Sequence, residues 1–213
     1  MQQQPVSAYL LLPTGHCFDH ALLAGHLKKY HSVRDKISLM LERGEIIRLR
    51  RGLYIRSRLY GGTVEPLEVA NLVYGPSYVS LEYALSYYGM IPERVEAITS
   101  VTPKRTKTFA TPVGTFSYEH IPIDAYAAGI SLDNRSGTGI LIATREKALC
   151  DRVALAANIR TIGEIEAYIL KNLRIDEGAL SGMSAGRIAA MGQVYHMQRT
   201  TLFAQWFHKK YGK

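Results

Sequence analysis

Few residue groupings in the sequence could support catalysis, and each lacks a part that its chemistry needs. A nucleotidyltransferase holds magnesium with two close carboxylates after a Gly-Ser turn, but no Asp-x-Asp pattern follows Ser181-Gly182. Common metal-dependent nucleases use an acid-x-Lys pair, whereas Glu146 and Lys147 are adjacent. Walker, Gly-x-Gly-x-x-Gly and Gly-x-Ser-x-Gly motifs are absent. The sequence therefore predicts no enzyme and no catalytic residue.

Metal and disulfide chemistry are equally poorly supported. His16, Cys17, Asp19 and His20 lie close together, but no second ligand pair follows at zinc-finger spacing. The chain has only two cysteines, Cys17 and Cys150, too few for a disulfide framework. We expect no metal and no cofactor, and each cysteine should be a small buried hydrophobe.

Length and composition favour an ordinary folded protein. The 213 residues are 47% hydrophobic and 21% charged, which excludes disorder as the main state. The sequence contains no apolar run of membrane-spanning length, and the N-terminus lacks the basic start of a signal peptide. We therefore expect a cytoplasmic location and no membrane partner.

Charge is concentrated at the N-terminus. The chain carries a net charge of +8, of which residues 1–60 contribute +6, whereas residues 61–125 carry −3. Such an excess favours polyanionic partners. Paired glycines at Gly61-Gly62 interrupt the pattern, and we predict two domains, residues 1–60 for DNA binding and residues 61–213 for the effector function.

Two short helices open the first domain. Asp19 begins the segment DHALLAGHLKKY, and Ser32 is the predicted N-cap of a second helix that Gly44 ends. The second helix presents a polar face of Arg34, Asp35, Ser38 and Glu42, with Lys36 beside it. This pattern is typical of a helix-turn-helix with the second helix as recognition helix.

A basic hairpin follows directly. Two period-2 strands flank Arg50-Arg51-Gly52, and a three-residue loop would pair Leu49 with Leu53. That register places Ile47, Leu49, Leu53 and Ile55 on one apolar face. Arg48 then faces outward opposite Tyr54, with Arg50 and Arg51 at the tip. The arrangement predicts the wing of a winged helix.

We take ten residues as candidates for DNA contact: Lys28, Lys29, Ser32, Arg34, Lys36, Ser38, Arg48, Arg50, Arg51 and Tyr54. Two alternatives remain open. The arginines could lie in a solvated turn, or the winged helix could bind a protein instead of DNA.

Three segments, in this order, carry a family resemblance: LERGEIIRLRRGLYI, EPLEVANLVYGPSYVSLEYALSYYGMIPE and IATREKALCDRV. In them the chain resembles the AbiEi family, the antitoxin component of abortive-infection type IV toxin-antitoxin systems. The resemblance runs from about His16 to about Leu173. It implies a winged-helix domain that represses its own promoter, and a C-terminal domain that counteracts a nucleotidyltransferase-like toxin encoded beside it without a stable complex.

The second domain has an α+β pattern. Segments 95–102, 106–111, 114–120 and 139–143 are predicted strands of an antiparallel sheet with flanking helices. Ser80 should cap SLEYALSYY, and the tyrosines near it should complete the edge of the core. The charges of TREKALCDRVALAA suit a solvated face, and Pro103 to Lys107 suits a solvated turn better than a second nucleic-acid contact.

The fold class is therefore α+β, an N-terminal winged helix-turn-helix followed by an α+β domain. The leading functional hypothesis is a DNA-binding autorepressor and antitoxin whose partner is double-stranded DNA at its own promoter, bound at inverted repeats. The alternative is a winged-helix regulator unrelated to a toxin, with a ligand-sensing or dimerising C-terminal domain. The residues from Ala185 to Tyr211 are helical in pattern and would pack on that domain or dimerise.

Overall fold

The computed structural model describes Leu12, residues 17–134, Gly137 and residues 139–212. The helices are α1 (His20–Leu27), α2 (Val33–Glu42), α3 (Pro66–Val73), α4 (Leu81–Tyr87), α5 (Ile123–Tyr126), α6 (Arg145–Leu155), α7 (Ile162–Ala167), α8 (Glu177–Ser181), α9 (Ala185–Val194) and α10 (Gln198–Tyr211). The strands are β1 (Phe18–Asp19), β2 (Ile46–Arg50), β3 (Leu53–Arg56), β4 (Tyr78–Val79), β5 (Ile98–Thr102), β6 (Lys107–Thr111), β7 (Gly114–His120), β8 (Ile130–Asp133) and β9 (Ile140–Ala143). The fold is α+β, as predicted.

Side-chain caps define the first two helices. The Asp19 carboxylate accepts a hydrogen bond of 2.8 Å from the Leu22 amide at the start of α1. The Ser32 hydroxyl accepts one of 3.3 Å from the Asp35 amide at the start of α2. Gly44, with φ of 65°, follows the end of α2. Both helices therefore begin where the capping residues predict, and α2 ends before Gly44 as expected.

The hairpin that follows differs in its turn from the prediction. Ile47 pairs with Ile55 and Arg48 with Tyr54, as expected, but the register then shifts and Arg50 pairs with Leu53. The predicted pairing of Leu49 with Leu53 is therefore wrong, because a β-bulge leaves Leu49 without a partner across the hairpin. β1 adds to the other edge of β3 and completes a three-stranded sheet of order β1-β3-β2.

Both faces of β3 are buried. Leu49, Leu53 and Ile55 share one face, as predicted, and pack into the large core of the C-terminal part of the chain. Tyr54, on the opposite face, packs with Phe18 in the smaller N-terminal core. The apolar face of the hairpin thus joins the two parts of the chain.

The large sheet is mixed, not antiparallel. Its order is β6-β7-β5-β4-β9-β8, with β4 parallel to β9 and β5 parallel to β7. The sequence prediction missed the β4-β9 pair because β4 has only two residues and leaves almost no periodic pattern. It found β5 and β7 as strands, but strand periodicity does not show which strands pair or in which direction. The β6-β7 hairpin closes at Thr111 and Gly114, as predicted.

Helices pack around this sheet. Tyr78 is fully buried, and Tyr74, Tyr83, Tyr87 and Tyr88 pack at the edge of the core, as expected. The C-terminal segment forms two helices, since His196 takes a φ of 52° between α9 and α10. α10 contacts α6 and α7, and its Trp206 and Phe207 are buried, which confirms packing on the domain.

The expectation that the charges of α6 form a solvated face is wrong for Glu146, Lys147 and Asp151, which are buried. Lys147 and Asp151, one helical turn apart, are both fully buried, and the Lys147 Nζ atom lies 3.1 Å from the Asp151 Oδ1 atom. The Lys147 ammonium also donates 2.6 Å hydrogen bonds to the Tyr195 hydroxyl and to the Ala125 carbonyl. These contacts satisfy the three donors of the ammonium group.

The Asp151 carboxylate is surrounded by hydroxyl donors. Tyr195 donates to one oxygen, while Ser80 and Tyr78 donate to the other at 2.6 Å and 3.1 Å. Ser80 was predicted to cap α4. It stands at the N-cap position, but its side chain makes no cap hydrogen bond. Burial raises the pKa values of both tyrosines, so they keep their protons. We call these five residues the buried network: Ser80, Tyr78, Lys147, Asp151 and Tyr195.

We predict that Asp151→Asn lowers the free energy of unfolding by about 3 to 5 kcal/mol, because the Lys147 charge stays buried without its counterion. Lys147→Met should cost a similar amount. The double variant should lose less than the sum of the two, because it buries no charge. Denaturant unfolding measures all three.

The control is Lys171→Met, at an exposed position, which should change the free energy of unfolding by less than about 0.5 kcal/mol. Additive losses in the double variant would show that Lys147 and Asp151 do not stabilise each other.

Candidate nucleic-acid interface

The exposed face of α2 carries polar and charged side chains. Arg34, Asp35, Ser38 and Glu42 are exposed, and Lys36 is partly exposed. Ile37 and Met40 are buried in the N-terminal core and fix the orientation of the helix. The helix therefore presents to solvent the face that the sequence predicts.

Two further lysines lie at the end of α1. Lys28 and Lys29 are exposed, and the Lys29 ammonium lies 5.5 Å from the centre of the Tyr30 ring. Lys36, on α2, lies 5.1 Å from the same ring. Tyr30 therefore holds cations from both helices within a short distance of each other.

The hairpin presents three exposed arginines. Arg48, on β2, lies with its guanidinium 5.9 Å from the centre of the Tyr54 ring. Arg50 donates a 3.0 Å hydrogen bond to the Arg51 carbonyl at the turn. Gly52 adopts the left-handed conformation expected there, with φ of 78°.

A cavity of about 590 Å³ lies beside the hairpin and the start of α1. It is lined by His20, Arg48, Arg51, Gly52 and Tyr54. The His20 amide donates a 3.0 Å hydrogen bond to the Gly52 carbonyl and ties the two elements together. The two arginines make this concave surface basic. The sequence analysis considered His20 only as a zinc ligand. Because Asp19 is the N-cap of α1, His20 is the first residue of that helix, and this signal places it at the helix start.

Two of the ten candidates are less available than predicted. Tyr54 lies opposite Arg48, as predicted, but it is only 5% exposed and packs on Phe18, so its predicted availability for DNA contact is wrong. Side chains of the N-terminal core cover the face of β3 that carries Tyr54, and one of them, Phe18, lies on β1, which was not predicted. The Ser32 hydroxyl is occupied by the Asp35 amide.

The other eight candidates lie on one small unit built from α1, α2 and the hairpin. Among the described residues, none of its Lys28, Lys29, Arg34, Lys36, Arg48, Arg50 and Arg51 side chains lies within ion-pair distance of a carboxylate. Unneutralised cations on an exposed surface are suited to binding phosphate groups.

The described cysteines are poor nucleophiles. Burial, with a smaller contribution from the Glu68 carboxylate, raises the pKa of the half-buried Cys17 thiol to about 12. Cys150 is fully buried, as predicted, and burial raises its pKa as well. Both thiols are protonated at neutral pH, so neither supplies a thiolate.

The described residues contain no group of three His, Cys, Asp or Glu side chains placed to hold a metal ion; His16 lies outside them. Within the same part of the chain, no helix has the length and apolar composition needed to span a bilayer. No protein-family model matches the chain, and no curated protein sequence matches it.

We predict that Gly52→Ala lowers the free energy of unfolding by about 1 to 2 kcal/mol, because only the backbone conformation opposes a side chain there. A β-carbon at Gly52 would meet no atom within 4 Å.

Gly25→Ala is the matched control. It lies inside α1, again with nothing within 4 Å, and its φ is not left-handed. It should raise the free energy of unfolding by about 0.5 to 1 kcal/mol. Equal losses in the two variants, measured by denaturant titration, would contradict a conformational role for Gly52.

Proposed function

We propose that the chain binds double-stranded DNA through its N-terminal unit and acts in the cytoplasm as an autorepressor and antitoxin of a type IV toxin-antitoxin system. Its DNA partner is its own promoter, at inverted repeats, and its functional counterpart is a nucleotidyltransferase-like toxin.

One observation carries the DNA-binding part: the candidate basic side chains of α2 and of the adjacent hairpin are at least partly exposed on one unit, and within the described residues they form no ion pair. Strand β1, helices α1 and α2 and the β2-β3 hairpin follow each other in the order of a winged helix-turn-helix. In such a unit, the second helix contacts bases and the hairpin contacts phosphates or the minor groove.

The antitoxin part is supported by the resemblance to the AbiEi family. One of its segments, IATREKALCDRV, includes the end of β9 and most of α6, and it contains Lys147 and Asp151 of the buried network. The resemblance thus includes residues that pack at the centre of the C-terminal part. These residues are buried, so we assign them a structural role, not contact with a toxin.

We predict that Arg48→Ala, Arg50→Ala and Arg51→Ala, combined, weaken binding to the promoter and to an unrelated duplex by the same factor. The slope of the logarithm of the affinity against the logarithm of the salt concentration should become shallower by about 0.9 per lost phosphate contact. Arg34→Ala should instead reduce the preference for the promoter, since a base contact contributes about 1 to 3 kcal/mol of discrimination. Fluorescence anisotropy across a salt series measures both.

The control replaces Arg160, Lys171 and Lys209, all exposed, with alanine and removes the same formal charge elsewhere. If wild-type protein shows no binding to the promoter at low salt, the DNA-binding proposal is wrong. If Arg34→Ala, like the triple hairpin variant, weakens binding to the promoter and to the unrelated duplex by the same factor, α2 is not the recognition helix.

A second prediction concerns the two roles in cells. The triple hairpin variant should lose promoter repression but still rescue growth in cells that express the adjacent toxin, because exposed arginines contribute little to folding. A promoter reporter and a growth assay in one strain give both readouts. A variant that melts like wild type yet loses both activities would show that neutralisation depends on DNA binding.

A further inference from the structure

A second set of exposed basic side chains lies in the loop that joins β5 to β6. Lys104 and Arg105 are in the loop, and Lys107 is the first residue of β6; all three are exposed. The sequence favours a solvated turn here. The structure shows what lies next to this turn.

The loop leads into a strand that lies beside the hairpin of the N-terminal unit. Strand β6 contacts strand β2, which ends at Arg50. Burial raises the pKa of Tyr118 on β7, and the nearby Arg50 guanidinium partly opposes this effect. Arg50 therefore lies within electrostatic reach of a tyrosine of the large sheet.

The loop lysines border the same aromatic side chains. The Tyr74 and Tyr118 rings lie 5.3 Å apart in an edge contact, and Phe109 lies 5.5 Å from Tyr74. The Lys104 and Lys107 ammonium groups lie 5.4 Å and 5.8 Å from the centre of the Tyr74 ring. The two lysines thus lie against one aromatic cluster, Tyr74, Phe109 and Tyr118, and Arg50 lies within electrostatic reach of its Tyr118.

The loop charges are not neutralised locally. Within the described part of the chain, Lys104, Arg105 and Lys107 form no ion pair. The nearby Glu119 carboxylate accepts a 3.2 Å hydrogen bond from the Thr106 hydroxyl. Lys104 is also positioned, because its ammonium donates to the Gly75 carbonyl.

We propose that Lys104, Arg105 and Lys107 extend the hairpin's basic surface and bind the phosphate backbone of the same DNA duplex. The inference rests on the proposed DNA binding by the N-terminal unit. It differs in assigning a DNA contact to the C-terminal part, outside the helices and the hairpin. Lysines act as point charges toward phosphate, so this contact adds affinity without sequence preference.

The test compares the salt dependence of duplex binding for wild type and for Lys104→Gln with Lys107→Gln. Glutamine keeps a long side chain and a donor for the Gly75 carbonyl but removes the charge. Loss of two phosphate contacts should make the slope of log affinity against log salt concentration shallower by about 1.8. Between 50 and 200 mM salt, the variant should therefore lose about tenfold less affinity than wild type.

Two further variants complete the test. Lys104→Arg with Lys107→Arg keeps the charges and should retain the wild-type slope. Lys171→Gln with Lys209→Gln removes two exposed charges elsewhere and should also retain it. Thermal melting checks that each variant is folded.

The outcomes separate the two proposals. If wild-type protein does not bind duplex DNA, the proposed function itself fails. If wild type binds but the Lys104 and Lys107 glutamine variant keeps the wild-type slope, only the loop contact is wrong. Equal changes in both glutamine variants would also overturn it, because they would reflect net charge alone.

Discussion

Burial of strand β3 on both faces is the constraint on which the arrangement of this protein depends. All four residues of β3 are buried. Leu53 and Ile55 belong to the large core, whereas Tyr54 belongs to the N-terminal core. Full burial of one large apolar side chain contributes roughly 1.5 to 3 kcal/mol. Moving the N-terminal unit relative to the large sheet would expose at least one of these faces, so the hairpin fixes the two parts against each other.

This constraint determines where the hairpin's charges lie. Because both sides of the strand are covered, the arginines can reach solvent only along β2 and at the turn, where Arg48, Arg50 and Arg51 are exposed. The same packing brings β2 beside β6. The basic turn and the basic β5-β6 loop therefore keep a fixed relation, which a linker of flexible residues would not provide.

Much of the local structure was predictable because its signals are local. Asp19 and Ser32 start helices where expected, and period-2 spacing grouped Leu49, Leu53 and Ile55 on one face. Apart from the β-bulge at the hairpin turn, the errors concern contacts between distant segments. An i,i+4 Lys147-Asp151 pair has the same spacing on a solvated helix and in a core, and only Tyr78, Ser80 and Tyr195 distinguish the two. For the candidate site, the exposed cations of α2 and the hairpin were predictable. Burial of Tyr54 was not, because it depends on packing against Phe18 of β1, a strand of only two residues.

The buried network gives the C-terminal segment a structural role. Replacing a buried ion pair with apolar side chains is often neutral or stabilising, so this pair is not needed simply to fill the core. Its hydrogen bonds instead join α6 to β4 through Tyr78, to α5 through the Ala125 carbonyl, and to the end of α9 through Tyr195. Each partner is required, because a missing one leaves a buried polar group unsatisfied. The last forty residues, which the family resemblance covers least, are therefore part of the core that any activity of residues 61–213 depends on.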